Sequence, residues 1–99
     1  MLSDLAKDLR DTLKTEPQTR ADLCDELSCS DRSLRRAVNE LRKHGYNIAS
    51  NSDTRGYWYG DENDKERTIK DLRARAAELR QTAIALENGP DLGQMEVDL

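Results

Sequence analysis

Residues capable of catalysis or metal binding are few in this chain of 99 amino acids. Its only Cys and His residues are Cys24, Cys29 and His44, and three ligands without a C-x-x-C pair are too few for a structural zinc site. The position of His44 near a predicted helix C-terminus is explained by the helix dipole. We find no nucleophile–base pair, glycine-rich phosphate loop or set of spaced carboxylates. The sequence therefore predicts no enzymatic activity, no metal and no cofactor.

The distribution of charge indicates where nucleic acid could bind. The net charge of −4 argues against a general attraction to a polyanion. Residues 1–30 carry four basic and seven acidic side chains, and residues 61–99 carry six and ten. Residues 31–60 carry six basic and three acidic side chains. The positive potential is therefore concentrated in the middle third of the chain.

A predicted helix at residues 31–44 carries most of this positive charge. Ser30 is a good N-cap, and Gly45 stands where a left-handed residue is expected after the helix. The apolar positions recur every three or four residues, at Leu34, Ala37, Val38 and Leu41. The opposite face, which we call the basic stripe, comprises Arg32, Arg36, Asn39 and Lys43. The flanks are Arg35 and Arg42 on one side, and Ser33 and Glu40 on the other.

The basic stripe has the side chains that duplex DNA requires. Arg and Lys neutralise phosphates, Arg forms paired hydrogen bonds with guanine, and Asn does so with adenine. A helix that follows a short turn and enters the major groove is the helix-turn-helix geometry. The alternative is a charged helix face that is only solvated.

Two shorter helices are predicted before this helix. One face of the first is formed by Leu2, Leu5, Leu9 and Leu13. Thr19 is expected to cap the second, whose inner face comprises Ala21, Leu23, Cys24 and Leu27. Only a short turn separates the second helix from the helix at residues 31–44.

A β-hairpin is predicted after Gly45. Residues 46–50 alternate apolar and polar side chains, residues 51–56 are typical of a turn of about six residues, and residues 57–59 favour a strand. Tyr57 and Tyr59 share one face of this strand, and Trp58 takes the other. One face is expected to close the core. The alternative role for these aromatic side chains is stacking on single-stranded bases.

A long helix is predicted from Asp64 to about Glu87, ended by the sequence Asn-Gly-Pro at 88–90. Its heptad seam comprises Ile69, Leu72, Ala76, Leu79, Ala83 and Leu86. We expect the seam to form a homodimer that places two recognition helices on two half-sites. In a parallel dimer Arg75 would face Arg80 of the partner subunit, which an antiparallel pair partly avoids. The alternative is a helix that folds back against the first helix of its own chain.

The stretch ELSCSDRSLRRAVNELRKHGYNIASNSDTRGYWY lies within residues 9–59, which resemble the winged helix-turn-helix domains of the biotin-repressor N-terminal and DeoR-like type. The family pattern is E-L-G-V-S-x-R-T-V-x-R-x-I-x-x-L-R-x-x-G, a short strand and G-Y. The matching positions are Glu26, Leu27, Ser30, Arg32, Ser33, Leu34, Arg36, Val38, Leu41, Arg42, Gly45, Ile48, Gly56 and Tyr57. Small winged-helix proteins of phage and prophage are also similar. The chain departs from the pattern at Ser28, where glycine is frequent, and at Cys29, which replaces valine and is interpreted as a small buried hydrophobic residue.

The resemblance implies a mainly α fold with a β-hairpin, in which residues 31–44 enter the major groove and the wing at 51–56 meets the backbone or minor groove. The expected DNA-binding residues are Arg32, Ser33, Arg35, Arg36, Asn39, Arg42, Lys43 and Arg55. Sequence-specific binding to double-stranded DNA is the expected function, in transcriptional regulation or in another phage-like role. The competing hypothesis is a protein-interaction module in which the long helix recruits a partner and the basic stripe meets an acidic surface.

The expected organisation is a DNA-binding domain at 1–60, a long helix at 61–88 and an acidic flexible tail at 89–99. No run of 18 apolar residues and no apolar signal core are present, so neither a membrane span nor export is expected. Two cysteines without scaffold-like spacing favour free thiols in a reducing cytoplasm.

Overall fold

Helix α1 spans Asp4–Thr12 and is the first element of the chain. Its N-cap is Ser3, whose Oγ accepts a hydrogen bond from the N–H of Ala6 at 3.2 Å, as short hydroxyl side chains do where helices begin. Leu9 of the predicted apolar face is fully buried, and so is Ala6, which was not predicted on that face. Leu2 and Leu5 are only partly buried against the core. The computed structural model describes residues 1–51, 53 and 56–90.

Helices α2 (Arg20–Leu27) and α3 (Asp31–Lys43) follow, and each has its predicted N-cap. The Thr19 and Ser30 hydroxyls each accept a backbone N–H at 3.1 Å. Ser28 ends α2 in the left-handed region, with φ 51°, a conformation that costs a non-glycine residue roughly 1 kcal/mol. Gly45 has φ 91° after α3, so the predicted left-handed helix end is confirmed.

Three short strands, β1 (Gln18–Thr19), β2 (Ile48–Asn51) and β3 (Gly56–Tyr59), form one antiparallel sheet in the order β1-β3-β2. β2 and β3 are the predicted hairpin. Because Asn51 pairs with Gly56, the connection between the strands is shorter than the six residues predicted. β1 was not predicted, since its two residues form a strand only by pairing with β3, where Gln18 lies opposite Tyr57.

One apolar core lies beneath the first three helices and the sheet. α3 contributes its whole predicted inner face, with exposures of 0–3% at Leu34, Ala37, Val38 and Leu41. The other buried members are Ala6, Leu9, Leu13, Leu23, Ile48 and Tyr57. The prediction that Ala21 faces the core is wrong, because Ala21 is exposed. It lies about 200° around α2 from the buried Leu23.

Helix α4 spans Glu62–Asn88, and hydrogen bonds fix its beginning to the hairpin. The Asp64 N–H donates to Oδ1 of Asp61 at 2.8 Å, and the Asp61 N–H donates to Oδ2 of Asp64 at 3.1 Å. This reciprocal arrangement is that of a capping box. The Nε1–H of Trp58 also donates to Oδ2 of Asp64, at 3.2 Å. The Asp61 N–H, then Trp58, hold the pKa of Asp64 below its ordinary value.

Gly60 lies at this junction and has no room for a side chain. A Cβ there would meet the Cβ of Asp64 at 2.6 Å and the Cβ of Ala49 at 3.1 Å. Gly60→Ala is therefore expected to cost about 1–3 kcal/mol of unfolding free energy through overpacking. It should also change the native emission of Trp58, the only tryptophan. Thermal unfolding and fluorescence measure the two effects.

Gly45→Ala is the matched control for this substitution. Nothing lies within 4 Å of a Cβ at residue 45, but φ is positive there. The control should therefore lose about 1–2 kcal/mol through backbone strain and leave the native emission of Trp58 unchanged. A Gly60→Ala protein with unaltered stability and emission would contradict the close packing of hairpin and helix.

The chain divides into two compact units, Met1–Thr68 and Ile69–Leu99. α4 has no buried residue in the single chain, although it forms over the length predicted from the sequence. The large apolar side chains of the heptad seam have exposures of 39% at Ile69, 40% at Leu72, 71% at Leu79 and 79% at Leu86. None of the described helices has both the length and the apolar character to cross a membrane.

Candidate nucleic-acid interface

The basic stripe lies on the solvent side of α3. Arg32, Arg36, Asn39 and Lys43 are all exposed, and none of them forms a side-chain hydrogen bond or ion pair with another described residue. The opposite face of α3 is buried in the core, so the helix cannot rotate to hide the stripe. Arg32 and Lys43 are eleven positions apart, which spaces them by about 16 Å along the helix axis.

The other side chains predicted on this surface already have partners within the protein. Ser33 accepts a hydrogen bond from the Ser30 hydroxyl at 3.0 Å, so its side chain belongs to the helix cap. Arg35 forms an ion pair with Asp31, one turn earlier, at 3.1 Å. These two residues flank the basic stripe, and their side chains must exchange a partner to contact a ligand.

Arg42 links α3 to the hairpin. Its Nε–H donates to the carbonyl of Ile48 at 2.9 Å, and its NH2 group donates to the hydroxyl of Ser50 at 3.3 Å. Both acceptors lie on β2, so Arg42 sets the position of the hairpin relative to the basic stripe. The sequence predicted a phosphate contact for Arg42, and the structure adds this positioning role.

The tip of the predicted wing is only partly described. Asn51 accepts a hydrogen bond from the N–H of Asp53 at 2.7 Å through its side-chain oxygen, which is the Asx-turn pattern expected of this sequence. Arg55, the predicted basic contact of the wing, and the neighbouring Ser52 and Thr54 lie outside the described residues.

The aromatic residues of β3 pack within the protein. Tyr57 is 8% exposed and belongs to the core. Tyr59 packs against the core, and its hydroxyl donates to the carbonyl of Arg10 at 2.6 Å. Trp58 points to the other face and donates to Asp64. The prediction of core packing for one face is therefore confirmed, and burial raises the pKa of both tyrosines.

Asp31 and Arg20 belong to a charged cluster that was not predicted from the sequence. The carboxylate of Asp31 lies 3.5 Å from Nε of Arg20 and 3.1 Å from Nε of Arg35. The pairing of Asp31 with Arg35 has the i,i+4 spacing that a sequence can reveal. The contact with Arg20 joins α2 to α3, so it depends on how the two helices cross.

Glu40 joins α3 to α1. Its carboxylate accepts hydrogen bonds from the N–H and the hydroxyl of Ser3, both at 2.7 Å. The Ser3 hydroxyl, and then its N–H, hold the pKa of Glu40 below its ordinary value. Since Ser3 also caps α1, these bonds fix the beginning of α1 against the C-terminal half of α3.

Because of this contact, we expect part of the free energy of unfolding to be lost in acid. Because the folded state lowers the pKa of Glu40, the stabilisation is full above a glutamate's ordinary value of about 4.3 and is lost as pH falls through the folded pKa. Glu40→Gln should lower the melting temperature at pH 7 and lose less on acidification than the natural chain. The control is Glu26→Gln, which changes an exposed residue. A difference in melting temperature between the natural chain and Glu40→Gln that stays constant from pH 7 to pH 3 would contradict this role.

The two cysteines are free, half-buried thiols packed against the core. Burial, and then the neighbouring Cys29, raise the pKa of the Cys24 thiol, which lowers the thiolate fraction at neutral pH. Cys29 therefore packs as the predicted small apolar residue, although it is not fully buried. Among the described residues, no group of three or more Cys, His, Asp or Glu side chains could hold a metal ion.

Comparisons of the chain with models of known protein families, with curated proteins and with solved structures give no match. The chemistry open to the basic stripe follows from its side chains. Guanidinium and ammonium groups donate to phosphate oxygens, and a guanidinium or an amide can form paired hydrogen bonds with a base edge. A rigid helix presents all four groups in one row.

Proposed function

We propose that this protein binds double-stranded DNA sequence-specifically as a winged helix-turn-helix protein, with α3 in the major groove. One observation carries the proposal. A protein of net charge −4 presents three exposed cations and an amide in one row on a helix whose other face is buried. The element order of the Met1–Thr68 unit supports it, since α2, a short turn, α3 and a hairpin follow one another. Transcriptional regulation, including a role in a phage-like setting, is the function we infer.

The side chains take different roles in this proposal. Arg32, Arg36, Asn39 and Lys43 enter the groove, where Arg36 and Asn39 near the middle of the row read base edges. Arg42 serves the phosphate backbone, and Arg35 does so only when it leaves Asp31. Ser33 holds the cap of α3, and Arg55 meets the backbone or minor groove from the wing. Phosphate contacts fix register, and base contacts supply specificity.

The test is a salt titration of binding to random-sequence duplex DNA, followed by selection of preferred duplexes from a random pool. The logarithm of the association constant should fall linearly with the logarithm of salt concentration, with a slope of about −0.9 per phosphate neutralised. Selection should enrich one motif that contains guanine and adenine. Affinity that does not respond to salt, or a selected pool without a motif, would refute the proposal.

We further propose that two copies associate through the heptad seam. Most of the stability of protein helices comes from packing of an apolar face against another surface, and the seam exposes four large apolar side chains. A dimer would bury them and would present two α3 helices to two half-sites. The same exposed seam favours the second candidate function, a protein-interaction module in which α4 recruits a different partner.

Dimer formation and DNA binding should respond to salt in opposite directions, because the seam is flanked by arginines. In a parallel pair, Arg75 faces Arg80 of the partner subunit. In an antiparallel pair that sets each seam alanine against a leucine, Arg73 lies near Arg80 of the partner subunit. Since either orientation brings like charges together, salt that screens them should strengthen the dimer while it weakens DNA binding. Sedimentation at 0.05 and 0.5 M NaCl measures the effect on the dimer.

A further inference from the structure

A single carboxylate lies between two arginines beside the basic stripe. Asp31 in the first turn of α3 holds Arg20 from the first turn of α2 and Arg35 from the second turn of α3. All three side chains are partly exposed, at 32% for Arg20, 43% for Asp31 and 59% for Arg35. The cluster therefore lies at the surface, where a phosphate could reach both guanidinium groups.

The carboxylate opposes DNA binding in two ways. It occupies the donor groups of Arg20 and Arg35 that would otherwise meet phosphate oxygens. It also places a negative charge next to the surface that the polyanion approaches, and like charges this close repel. Ion pairs this exposed contribute little to stability, so the fold does not depend on the carboxylate.

We propose that Asp31 restrains the affinity of this protein for DNA by holding Arg20 and Arg35 away from the phosphate backbone. The inference rests on the proposed DNA binding. It adds Arg20 to the surface that faces DNA and gives Asp31 a function that opposes the basic stripe. Because phosphate contacts carry no sequence information, the restraint acts equally on specific and non-specific duplexes. It keeps the sequence-independent part of binding low without touching the residues that read bases.

Asp31→Asn tests the restraint with a side chain of the same shape. Near 0.1 M salt, each additional phosphate contact should strengthen binding about five- to tenfold and steepen the salt slope by about 0.9. Affinity for a random-sequence duplex and for the selected duplex should rise by the same factor, so their ratio stays constant. Asp8→Asn makes the same change in net charge on the exposed side of α1 and should change affinity less than twofold.

Arg20→Gln separates the restraint from a general effect of charge. With Asp31 present, Arg20 is held, and its replacement should weaken binding less than twofold. In the Asp31→Asn background, the same replacement should cost about five- to tenfold. Circular dichroism checks that each variant is folded.

The outcomes distinguish this inference from the function on which it rests. A natural chain that binds no duplex refutes the proposed DNA binding itself. A natural chain that binds, with Asp31→Asn no tighter than Asp8→Asn, overturns the restraint alone. Equal effects of Arg20→Gln in the two backgrounds would also overturn it, because Asp31 would then not control Arg20.

Discussion

Replacement of Arg32, Arg36 and Lys43 together by glutamine is expected to abolish specific duplex binding and to leave the fold intact. The three side chains are exposed and have no partner among the described residues, so folding loses nothing when their charge is removed. Arg36→Ala alone should cost about 1–3 kcal/mol on a selected duplex if Arg36 reads a base. The triple variant should lose roughly 3–6 kcal/mol, or about 10²–10⁴ in affinity. Fluorescence anisotropy measures the binding, and thermal unfolding measures the stability.

The matched control is the triple replacement of Lys7, Lys14 and Lys65 by glutamine. These lysines are exposed and lie outside α3. The control therefore removes the same number of positive charges, three, from the same Met1–Thr68 unit. The control should weaken binding only because it makes the overall electrostatic potential of the protein more negative. The loss should be less than tenfold at 0.15 M salt, where surface charges are screened over about 8 Å. If both triple variants lose affinity equally, binding depends on total charge and α3 is not the interface. An unchanged affinity for Arg36→Ala would remove that residue from the base-reading set.

Replacement of Leu72 and Leu79 together by serine is expected to convert the proposed dimer into a monomer. Burial of one leucine side chain contributes roughly 1.5–3 kcal/mol, and a dimer contains four leucines at these positions, two from each chain. The substitutions should therefore weaken association by about 6 kcal/mol or more, which is roughly 10⁴-fold. The Met1–Thr68 unit should keep its melting behaviour, since no seam residue belongs to the core. Sedimentation equilibrium and unfolding measure the two effects.

Ile84→Ser is the control for the seam. Ile84 is 49% exposed and apolar, but it lies about 100° around α4 from Ala83 and outside the heptad positions. Its replacement removes an exposed apolar side chain comparable with one of the two leucines and should leave the dimer intact. A chain truncated after Gly60, which lacks the seam, should be a monomer like the Leu72 and Leu79 variant. Association that survives the loss of Leu72 and Leu79, or of all of α4, would show that the seam is not the contact.

The two sets of substitutions also separate the two candidate functions. The seam variant should bind a single half-site with an unchanged salt slope, because α3 is untouched. On duplexes with two half-sites it should lose the additional affinity that a dimer gains by engaging both. A protein-interaction module would behave in the opposite way, since loss of the seam would remove its activity and loss of the stripe cations would not alter recruitment through α4.

The sequence by itself determined the elements whose signals are local. The apolar spacing of α3, its Ser30 cap and the left-handed Gly45 are properties of a few neighbouring residues, and all three were predicted correctly. The alternation around the turn predicted the hairpin for the same reason. The heptad spacing predicted the length of α4, although spacing alone cannot say which surface covers the seam.

Only the tertiary structure decided that Arg42 is already engaged. The pairing of Arg35 with Asp31 follows the local i,i+4 spacing, whereas Arg42 is held by Ile48 and Ser50 on β2. The strand β1 and the role of Arg20 also depend on residues far apart in the chain, which the crossing of α2, α3 and the sheet brings together. Short-range periodicity fixes which face of a helix is polar, because it follows from helix geometry. The partners of that face depend on long-range packing, and four side chains of α3 are left to meet a ligand.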